Sequence, residues 1–434
     1  MGSTLTDGSG HSLAGQDEIL SAQYSRLSPA VNLLIADNAF YREKLESAGI
    51  TGADKLSPET FAKIPFTTKE ELSLDQDAYP PFGRNLTYPL VDYTRLHQTS
   101  GTTGRPLRWL DDATGWEWFG KGWVSVFEAA GVGPEDRVFF AFSFGPFIGF
   151  WSALEGCRQL GALALPGGAM DSHQRLLSIV ENEATVLCCT PTYALRLAEV
   201  AAEERIDLAN SSVRVTIHAG EPGAGIPNTR KMIETAWGAK AFDHAGATEV
   251  GPWGFECQEQ AGLHLNEAEF LFEVIDPVTG EASSEGELVV TNLGRIGSPV
   301  LRYRTGDFVR LSQSACPCGR AFRRLDGGVE GRIDDVLIVR GVNVYPSAIE
   351  NVIREFPEVA EFAADVYRKG AMDDLNLRLE VTQADGQAVA RAVSRAIRDR
   401  LGLRVDISVV APGELPRFEL KAKRFLDHRN QEDI

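Results

Sequence analysis

The segment TSGTTGRP at residues 99–106 combines hydroxyl side chains, glycines and one basic residue. Hydroxyls donate hydrogen bonds to anionic oxygens, and glycines let backbone N–H groups approach an anion closely. The segment lacks the spacing of a P-loop and of the dinucleotide fingerprint, and taken alone it is also typical of a flexible surface loop. The candidate phosphate ligands are Thr99, Ser100, Gly101, Thr102, Thr103, Gly104 and Arg105.

A second set of chemically active residues lies in two loop-like segments, with Cys257 and His264 in one and Cys316 and Cys318 in the other. Three thiols and one imidazole make a complete tetrahedral zinc site with no open position for catalysis. The alternative is that Cys316 and Cys318 cap a turn and that His264 is a surface histidine. The remaining cysteines at 157, 188 and 189 lie in apolar patterns and are predicted to be core residues.

Apolar runs of strand length alternate with amphipathic helical patterns over the middle of the chain. This alternation predicts an α/β fold with a parallel sheet covered on both faces, in which ligands bind beyond the carboxyl ends of the strands. A short strand at 94–98 precedes the hydroxyl-rich loop, and a turn and helix are expected after it. Predicted strands lie at 137–144, 162–166, 185–189, 213–218 and 240–243, and predicted helices at 147–160, 172–182, 193–204 and 227–237.

The pattern changes to short alternating strands at residue 270, which indicates an antiparallel subdomain over about 270–325. The glycine-rich, charged segment 326–335 is typical of a linker. We therefore expect a large N-terminal domain (1–331) of mixed, mainly parallel sheets with helices, and a small mobile α+β C-terminal domain (332–434). The second domain has predicted helices at 347–355 and 387–401 and strands at 362–367, 376–381 and 405–410.

The 434 residues carry a formal net charge of −18. An acidic surface repels phosphate backbones and anionic lipid, so neither nucleic acid nor membrane is an expected partner. The sequence shows no apolar run long enough to span a bilayer and no secretory leader, which favours a cytoplasmic protein. The sequence is also compatible with a homodimer.

Four more motifs follow the hydroxyl-rich loop in a definite order: AGEP at 219–222, DHAGATE at 243–249, YRTGD at 303–307 and GRIDD at 331–335. Together with that loop they resemble the adenylate-forming superfamily of acyl-CoA synthetases. CPCGR at 316–320 and GVNVYP at 341–346 resemble its phenylacetate-CoA ligase branch. The resemblance extends from about residue 17 to residue 429.

The resemblance implies that ATP and a carboxylic acid form an acyl-adenylate with release of pyrophosphate, and that coenzyme A then takes the acyl group. Residues 99–105 would hold the β- and γ-phosphates, with Arg105 where many relatives carry lysine. Glu249, next to Thr248, would bind Mg²⁺, a hard cation that prefers carboxylate and phosphate oxygens. Asp307 and Arg332 would contact the ribose. Lys421 would stabilise charge on the reacting carboxylate and the α-phosphate, with Lys423 as the alternative.

Other family positions match more loosely. Leu420 replaces the glycine that usually precedes the lysine, Asp334 matches the domain hinge, and Gly341 matches a loop that lines the pantetheine tunnel. The zinc set of Cys257, His264, Cys316 and Cys318 is also favoured by the resemblance. The AMP site would comprise Ala219, Gly220, Glu221, Pro222, Asp243, His244, Ala245, Gly246, Ala247, Thr248, Asp307 and Arg332.

Ala245 stands where relatives usually carry tyrosine, which widens the expected acyl pocket. Aromatic walls over small residues suit a small aromatic acid of the benzoate or phenylacetate type, including amino- and hydroxybenzoates. Such an aromatic stripe is nonetheless more often plain core than a ligand pocket, and His218 and His244 either face the substrate or are satisfied core histidines. The expected pocket comprises Phe142, Phe144, Gly145, Pro146, Phe147, Ile148, Gly149, Trp151, Gly167, Ala169, Ala219 and Ala245.

Two alternatives keep part of this chemistry. The adenylating site could pass the acyl group to an amine, a hydroxyl or a carrier protein, or it could adenylylate a hydroxyl directly. A catalytically silent module that binds AMP and zinc is the third reading. The joint presence of Glu249, Asp307, Arg332 and Lys421 argues against a silent module, because a decayed site should have lost at least one of them.

Overall fold

The structure is a computed structural model that describes residues 15–52, 56–99, 106–339, 342–369, 372–382, 384–419 and 421–429. Its first elements are helices that pack their apolar faces into one core cluster with the later antiparallel strands. Asn38 ends the first helix. Its side chain caps the second helix by accepting a hydrogen bond from the Tyr41 N–H at 3.0 Å. These helices are α1 (Gln16–Asp37), α2 (Ala39–Ser47), α3 (Pro58–Phe61) and α4 (Lys69–Ala78).

A β-hairpin follows, formed by β1 (Tyr93–Gln98) and β2 (Arg108–Asp112), and α5 (Ala113–Ala129) begins directly after it. The hydroxyl-rich loop therefore joins two paired strands, and the expectation that a turn and helix follow it is wrong. The second strand escaped notice because Asp111 is charged yet only 1% exposed, so the sequence shows no clean alternation. Ser100, Gly101, Thr102, Thr103, Gly104 and Arg105 lie outside the described residues.

A parallel sheet forms the centre of the molecule, as predicted. Its strands run in the order β7-β6-β5-β3-β4, with α5 and α6 on one face and α7, α8 and α9 on the other. Neighbouring residues on a strand point to opposite faces, so Phe140 joins one core cluster and Phe139 the other. The elements are β3 (Arg137–Phe140), α6 (Trp151–Leu160), β4 (Leu163–Pro166), α7 (Ser172–Glu181), β5 (Val186–Cys189), α8 (Pro191–Glu204), β6 (Val215–His218), α9 (Pro227–Trp237) and β7 (Lys240–Ala247).

The antiparallel strands continue this sheet, because β7 pairs in parallel with β6 and antiparallel with β8. The full sheet has eleven strands in the order β10-β11-β12-β13-β9-β8-β7-β6-β5-β3-β4. Most of residues 326–335 belong to β13 and not to a linker, with Arg332 opposite Asp307. Gly327 and Gly328 take positive φ within this strand, so its sequence reads as a loop. The added strands are β8 (Gly251–Glu256), β9 (Leu263–Leu265), β10 (Phe270–Ile275), β11 (Glu285–Asn292), β12 (Tyr303–Leu311) and β13 (Arg324–Arg332).

The C-terminal part has its own six-stranded sheet and its own hydrophobic core, in which Phe362, Leu377 and Ile397 are buried. A short 3₁₀ turn at Ile333–Asp335 leads into it. No helix of the described residues is both long and apolar enough to cross a membrane. The elements are β14 (Leu337–Val339), β15 (Val342–Val344), α10 (Pro346–Ile353), β16 (Val359–Lys369), β17 (Met372–Val381), α11 (Gly386–Leu401), β18 (Asp406–Val410) and β19 (Phe425–Asp427).

Candidate functional site

The carboxyl ends of the parallel strands bring most of the predicted site segments to one edge of the sheet. Residues 141–150 follow β3, residues 167–169 follow β4, the AGEP motif follows β6, and β7 carries the DHAGA residues into the turn with Thr248 and Glu249. This is the edge at which open α/β sheets bind ligands.

Thr99 closes the base of the hydroxyl-rich loop. Its N–H donates to the Leu107 carbonyl, and its hydroxyl oxygen accepts from the Leu107 N–H, both at 3.0 Å. The N–H of Gln98 donates to the Pro146 carbonyl at 2.7 Å. The strand before the loop is therefore tied to the segment that is predicted to line the acyl pocket.

The turn that carries Glu249 is held by a buried ion pair. Arg295 donates to the carbonyls of Thr248 and Glu249 at 2.9 and 3.0 Å, and it pairs with both carboxylate oxygens of Asp111 at 2.7 and 3.0 Å. Burial raises the pKa of Asp111, but Arg295 and His97 more than offset this and leave the pKa below its usual value. Sequence reasoning missed Asp111 and Arg295, because 184 residues separate them and neither belongs to a motif.

The Glu249 carboxylate accepts a hydrogen bond from the Tyr303 hydroxyl at 3.2 Å. Tyr303 begins β12, and the same strand carries Asp307, which lies opposite Arg332 of β13. Arg332 donates to the Thr305 carbonyl at 2.7 Å and lies 3.4 Å from Asp307 Oδ1. Burial raises the pKa of Asp307 to about 6 despite the neighbouring guanidinium.

Gly306 is required for this arrangement. Its φ is +75°, and a Cβ at this position would lie 2.6 Å from Nη2 of Arg332. The glycine of the YRTGD motif therefore makes room for the arginine side chain.

Lys421 reaches the same group of charges from the C-terminal part. Its side chain lies over Gly220, whose φ of +100° favours glycine and where a Cβ would meet Lys421 Cε at 3.3 Å. Burial lowers the pKa of Lys421, and the carboxylates of Glu221 and Glu249 oppose that shift. The structure thus brings Glu249, Asp307, Arg332 and Lys421 together, as the motif order predicts.

The predicted adenine wall is divided by the alternation of β7. Asp243 and Ala245 are half-buried, whereas His244 between them is buried on the opposite side, with its ring 4.3 Å from that of Trp123. Nδ1 of His244 donates to the Gly254 carbonyl at 2.7 Å, and burial lowers the pKa to about 4. Asp243 has its pKa raised by burial and by Glu256, and Gly225 leaves space for its carboxylate, which a Cβ would approach to 2.9 Å.

His218 is a satisfied core histidine. It is fully buried in β6, with Nδ1 3.2 Å from the Cys189 carbonyl and Nε2 2.9 Å from the Thr216 hydroxyl. Of the two interpretations left open by the sequence, the structure supports the core one.

The aromatic segment after β3 is partly core and partly cleft. The Phe142 ring is buried and makes edge-to-face contacts with Phe144 and Phe147 at 5.6 and 5.3 Å. Phe144 and Trp151 are half-buried and lie edge to face at 4.7 Å, and the Trp151 indole donates to the Gly145 carbonyl at 3.0 Å. Only glycine fits at position 149, because a Cβ there would lie 1.9 Å from the Phe142 ring.

Cys257, His264, Cys316 and Cys318 meet with all four ligand atoms within 4.8 Å of one another. The Cys257 and Cys316 sulfurs are 3.6 Å apart, and Cys318 Sγ lies 3.4 Å from His264 Nε2. Tetrahedral zinc with Zn–S bonds of about 2.3 Å and a Zn–N bond of about 2.0 Å places two sulfurs about 3.8 Å apart and a sulfur and a nitrogen about 3.5 Å apart, so the donor types and these two separations fit zinc. His264 stands in β9 and the paired cysteines follow β12, so the cluster joins two parts of the large sheet.

The predicted hinge residue Asp334 is exposed in the 3₁₀ turn and lies 3.2 Å from Nε of Arg332. The carboxylate therefore contacts the arginine at the end of β13. Gly341 lies outside the described residues.

The fold and the site define an adenylate-forming acid–CoA ligase. The model for the AMP-binding enzyme C-terminal domain matches residues 341–429. The chain is 32% identical to the phenylacetate-coenzyme A ligases of Thermus thermophilus, over 95% of this chain and 97% of the relative, and of Escherichia coli, over 96% of each. The chain therefore belongs to the phenylacetate-coenzyme A ligase family. It activates a carboxylic acid with ATP, releasing pyrophosphate and AMP, and ligates the acid to coenzyme A.

A solved structure of 2-hydroxyisobutyryl-CoA ligase shows which arrangement of the two parts this chain adopts. In the postadenylation state with 2-HIB-AMP it matches at a TM-score of 0.90 and 29% identity, over 95% of this chain and 90% of the other. The same ligase in the thioesterification state with CoA matches at 0.72 over 96% and 91%. The arrangement described here is thus close to that of the postadenylation structure.

Proposed function

We propose that the acid is a small aromatic carboxylic acid of the benzoate or phenylacetate type, including amino- and hydroxybenzoates. The observation that carries this proposal is the edge-to-face pair of Phe144 and Trp151, half-buried at the strand edge on which Ala245 also lies. Aromatic rings bind a flat ring favourably through edge-to-face contacts. The names of the relatives at 31–32% identity support the same substrate class.

We assign the residue roles as follows. A carboxylate oxygen attacks the α-phosphorus and the bond to pyrophosphate breaks, while Lys421 stabilises the charge that builds on both reacting groups. Glu249, with Thr248 beside it, would hold Mg²⁺, which would supply positive charge to the phosphates, and residues 99–105 would hold the leaving pyrophosphate. Asp307 and Arg332 bind the ribose, and Ala219, Gly220, Pro222, Asp243, Ala245, Gly246 and Ala247 line the nucleotide and acyl sites. The thiol of coenzyme A then attacks the acyl carbon and AMP leaves.

The substrate proposal is tested by pyrophosphate release and thioester formation over a panel of acids, with and without CoA. The panel contains benzoate, phenylacetate, aminobenzoates and hydroxybenzoates, together with 2-hydroxyisobutyrate, because the ligase with the matching structure binds the adenylate of that acid. We expect kcat/KM to be highest for an aromatic acid. A preference for 2-hydroxyisobutyrate would contradict the aromatic assignment and leave acid activation intact.

We also propose that Cys257, His264, Cys316 and Cys318 hold a structural zinc ion that fixes β9 to the loop after β12. Zinc that is bound only by the folded state contributes to the free energy of unfolding. Metal analysis should find one zinc per chain, and a Cys318→Ser variant should lose it and melt at a lower temperature. Cys157→Ala, which removes a buried thiol outside this set, should keep its zinc. Intact protein without stoichiometric zinc would contradict the assignment.

A further inference from the structure

Glu221 connects the two parts of the chain at the catalytic cleft. Its Oε1 accepts a hydrogen bond from the Thr192 N–H at 3.0 Å, and its Oε2 accepts one from the Ala422 N–H at 2.7 Å. Thr192 lies in the first turn of α8, on the large sheet, and Ala422 directly follows Lys421. One carboxylate therefore ties the backbone next to the lysine to the N-terminus of a helix.

The surroundings of Glu221 suit a carboxylate that bridges two amides. The N-terminus of a helix carries a partial positive charge and unsatisfied N–H groups, which favour an anion there. Burial raises the pKa of Glu221, and the hydrogen bonds from Thr192 and Ala422 oppose that shift. A glutamine could accept only one of these two hydrogen bonds, because its amide nitrogen is a donor.

A second contact at the same place strengthens the connection. The Arg424 guanidinium donates to the Thr192 hydroxyl at 3.3 Å and pairs with both oxygens of Glu361 at 2.8 and 3.0 Å. Thr192, in the first turn of α8, is thus connected both to Ala422, through Glu221, and directly to Arg424. The segment that carries Lys421 is fixed relative to the sheet by these contacts and not by its own secondary structure.

We propose that Glu221 is a positioning residue for Lys421, which anchors residues 421–422 to α8 and so holds the ammonium over Gly220 for the adenylation step. The sequence placed Glu221 in the wall of the AMP site, where it would act on nucleotide binding instead. The proposal rests on the role assigned to Lys421. Because Ala422 belongs to the C-terminal part, a rotation of that part away from α8 would break this hydrogen bond, so we expect the residue to serve adenylation and not thioester formation.

The test measures the two half-reactions separately in the full chain, with the best acid of the panel. Glu221→Gln should lower the rate of acyl-adenylate formation about ten- to a hundredfold, the usual scale for losing a charge-assisted hydrogen bond. The KM for ATP should change little, and thioester formation from supplied acyl-adenylate should stay within about twofold. Glu199→Gln is the matched control, because Glu199 also lies on α8 and contacts the C-terminal part, through Arg417 at 3.4 Å. It should leave both half-reactions unchanged.

The pH profile gives a readout that a merely structural role would not move. The charged groups that act on Lys421 are Glu221, Glu249 and Asp307, which raise its pKa, and Arg332, which lowers it in addition to burial. Removing the charge of Glu221 should therefore lower the pKa of Lys421 and move the alkaline limb of adenylation to lower pH. The limb should not move in Glu199→Gln.

Four outcomes would overturn the proposal. A raised KM for ATP with unchanged kcat would return Glu221 to the AMP wall. Equal losses in both half-reactions would assign it to folding, which thermal unfolding would verify. An unchanged adenylation rate in Glu221→Gln, in an enzyme that Lys421→Ala inactivates, would refute the anchor alone. Retained adenylation in Lys421→Ala would refute the role of the lysine itself.

Discussion

At the scale of residues, the site contains charged side chains of both signs. Lys421 and Arg332 face Glu249, Asp307 and Glu221, so the described part of the site carries one more carboxylate than cations when all five are ionised. Such a site repels free ATP, whose phosphates need positive charge. We propose that Mg²⁺ held by Glu249 would offset this negative charge when the nucleotide binds together with its cation.

Replacing Lys421 by alanine should strongly slow adenylation while sparing the second half-reaction. Loss of one group that stabilises transition-state charge costs about 10²–10³ in rate. Pyrophosphate release should fall by about this factor, and thioester formation from supplied acyl-adenylate should remain. Lys423→Ala is the control, and a larger loss of adenylation in that variant would move the role to Lys423.

The buried carboxyl of Asp307 should make nucleotide binding sensitive to pH. Its pKa is raised to about 6, so the group is ionised above this value and becomes protonated below it. Only the ionised form accepts hydrogen bonds from both ribose hydroxyls, so the KM for ATP should rise roughly tenfold between pH 7 and pH 5. Asp307→Asn should have a high KM without this slope. A wild-type KM that is flat over the same range would refute the assignment.

At the scale of elements, long-range pairs fix the turns that carry the site. Asp111 of β2 and Arg295 are both almost fully buried, and Arg295 also holds the backbone of Thr248 and Glu249. One buried ion pair therefore links the β1–β2 hairpin to the turn that carries Glu249. The stability of the protein should depend on the pairing of the two charges, whereas adenylation should depend on the hydrogen bonds that Arg295 donates to the turn.

Asp111→Asn should destabilise the protein by about 3–5 kcal/mol, because it leaves Arg295 buried and unpaired. A double variant, Asp111→Leu with Arg295→Met, should recover much of that stability in denaturant unfolding, since it removes both charges. It should not recover adenylation, because the carbonyls of Thr248 and Glu249 lose their donor. Full recovery of activity would show that the turn of Thr248 and Glu249 keeps its position without the hydrogen bonds from Arg295.

Sequence periodicity predicted the elements best where the pattern was strong. The helices at 172–181 and 227–237 lie within a residue of their predicted bounds, and a short strand begins at residue 270, where the change of pattern is predicted. The sequence did not predict β13, because a strand that holds Gly327 and Gly328 in positive φ shows no alternation of apolar and polar residues. Motif order predicted the meeting of Glu249, Asp307, Arg332 and Lys421, but not the partners of Glu221 or Arg295. Those partners depend on how distant segments pack, and neither spacing nor composition encodes that.

At the scale of the whole molecule, the C-terminal part is docked so that Lys421 lies over Gly220 and near the carboxylates of Glu221 and Glu249. Besides Glu221 and Arg424, Asn228 of α9 donates to the Asn351 carbonyl of α10 at 2.9 Å. These polar contacts lie around a cavity of about 600 Å³ between α8, α9 and the C-terminal part. An interface of hydrogen bonds around a cavity separates more readily than a packed apolar one, which suits a part that moves between two reaction steps.

Fixing the backbone at Asp334 should separate the two steps. We propose that the chain divides near residue 331 and that the C-terminal part rotates about Asp334, which lies exposed in the short 3₁₀ turn. Proline locks φ near −65°, a value typical of a 3₁₀ turn, so it blocks a rotation that requires φ of this residue to change. Asp334→Pro should therefore keep pyrophosphate release, because the structure already holds Lys421 in the cleft, and lose most thioester formation. Asp334→Ala, which removes the contact with Arg332 but leaves φ free, should retain both steps. Loss of pyrophosphate release in the proline variant at an unchanged melting temperature would show that the residue serves adenylation and is not a hinge.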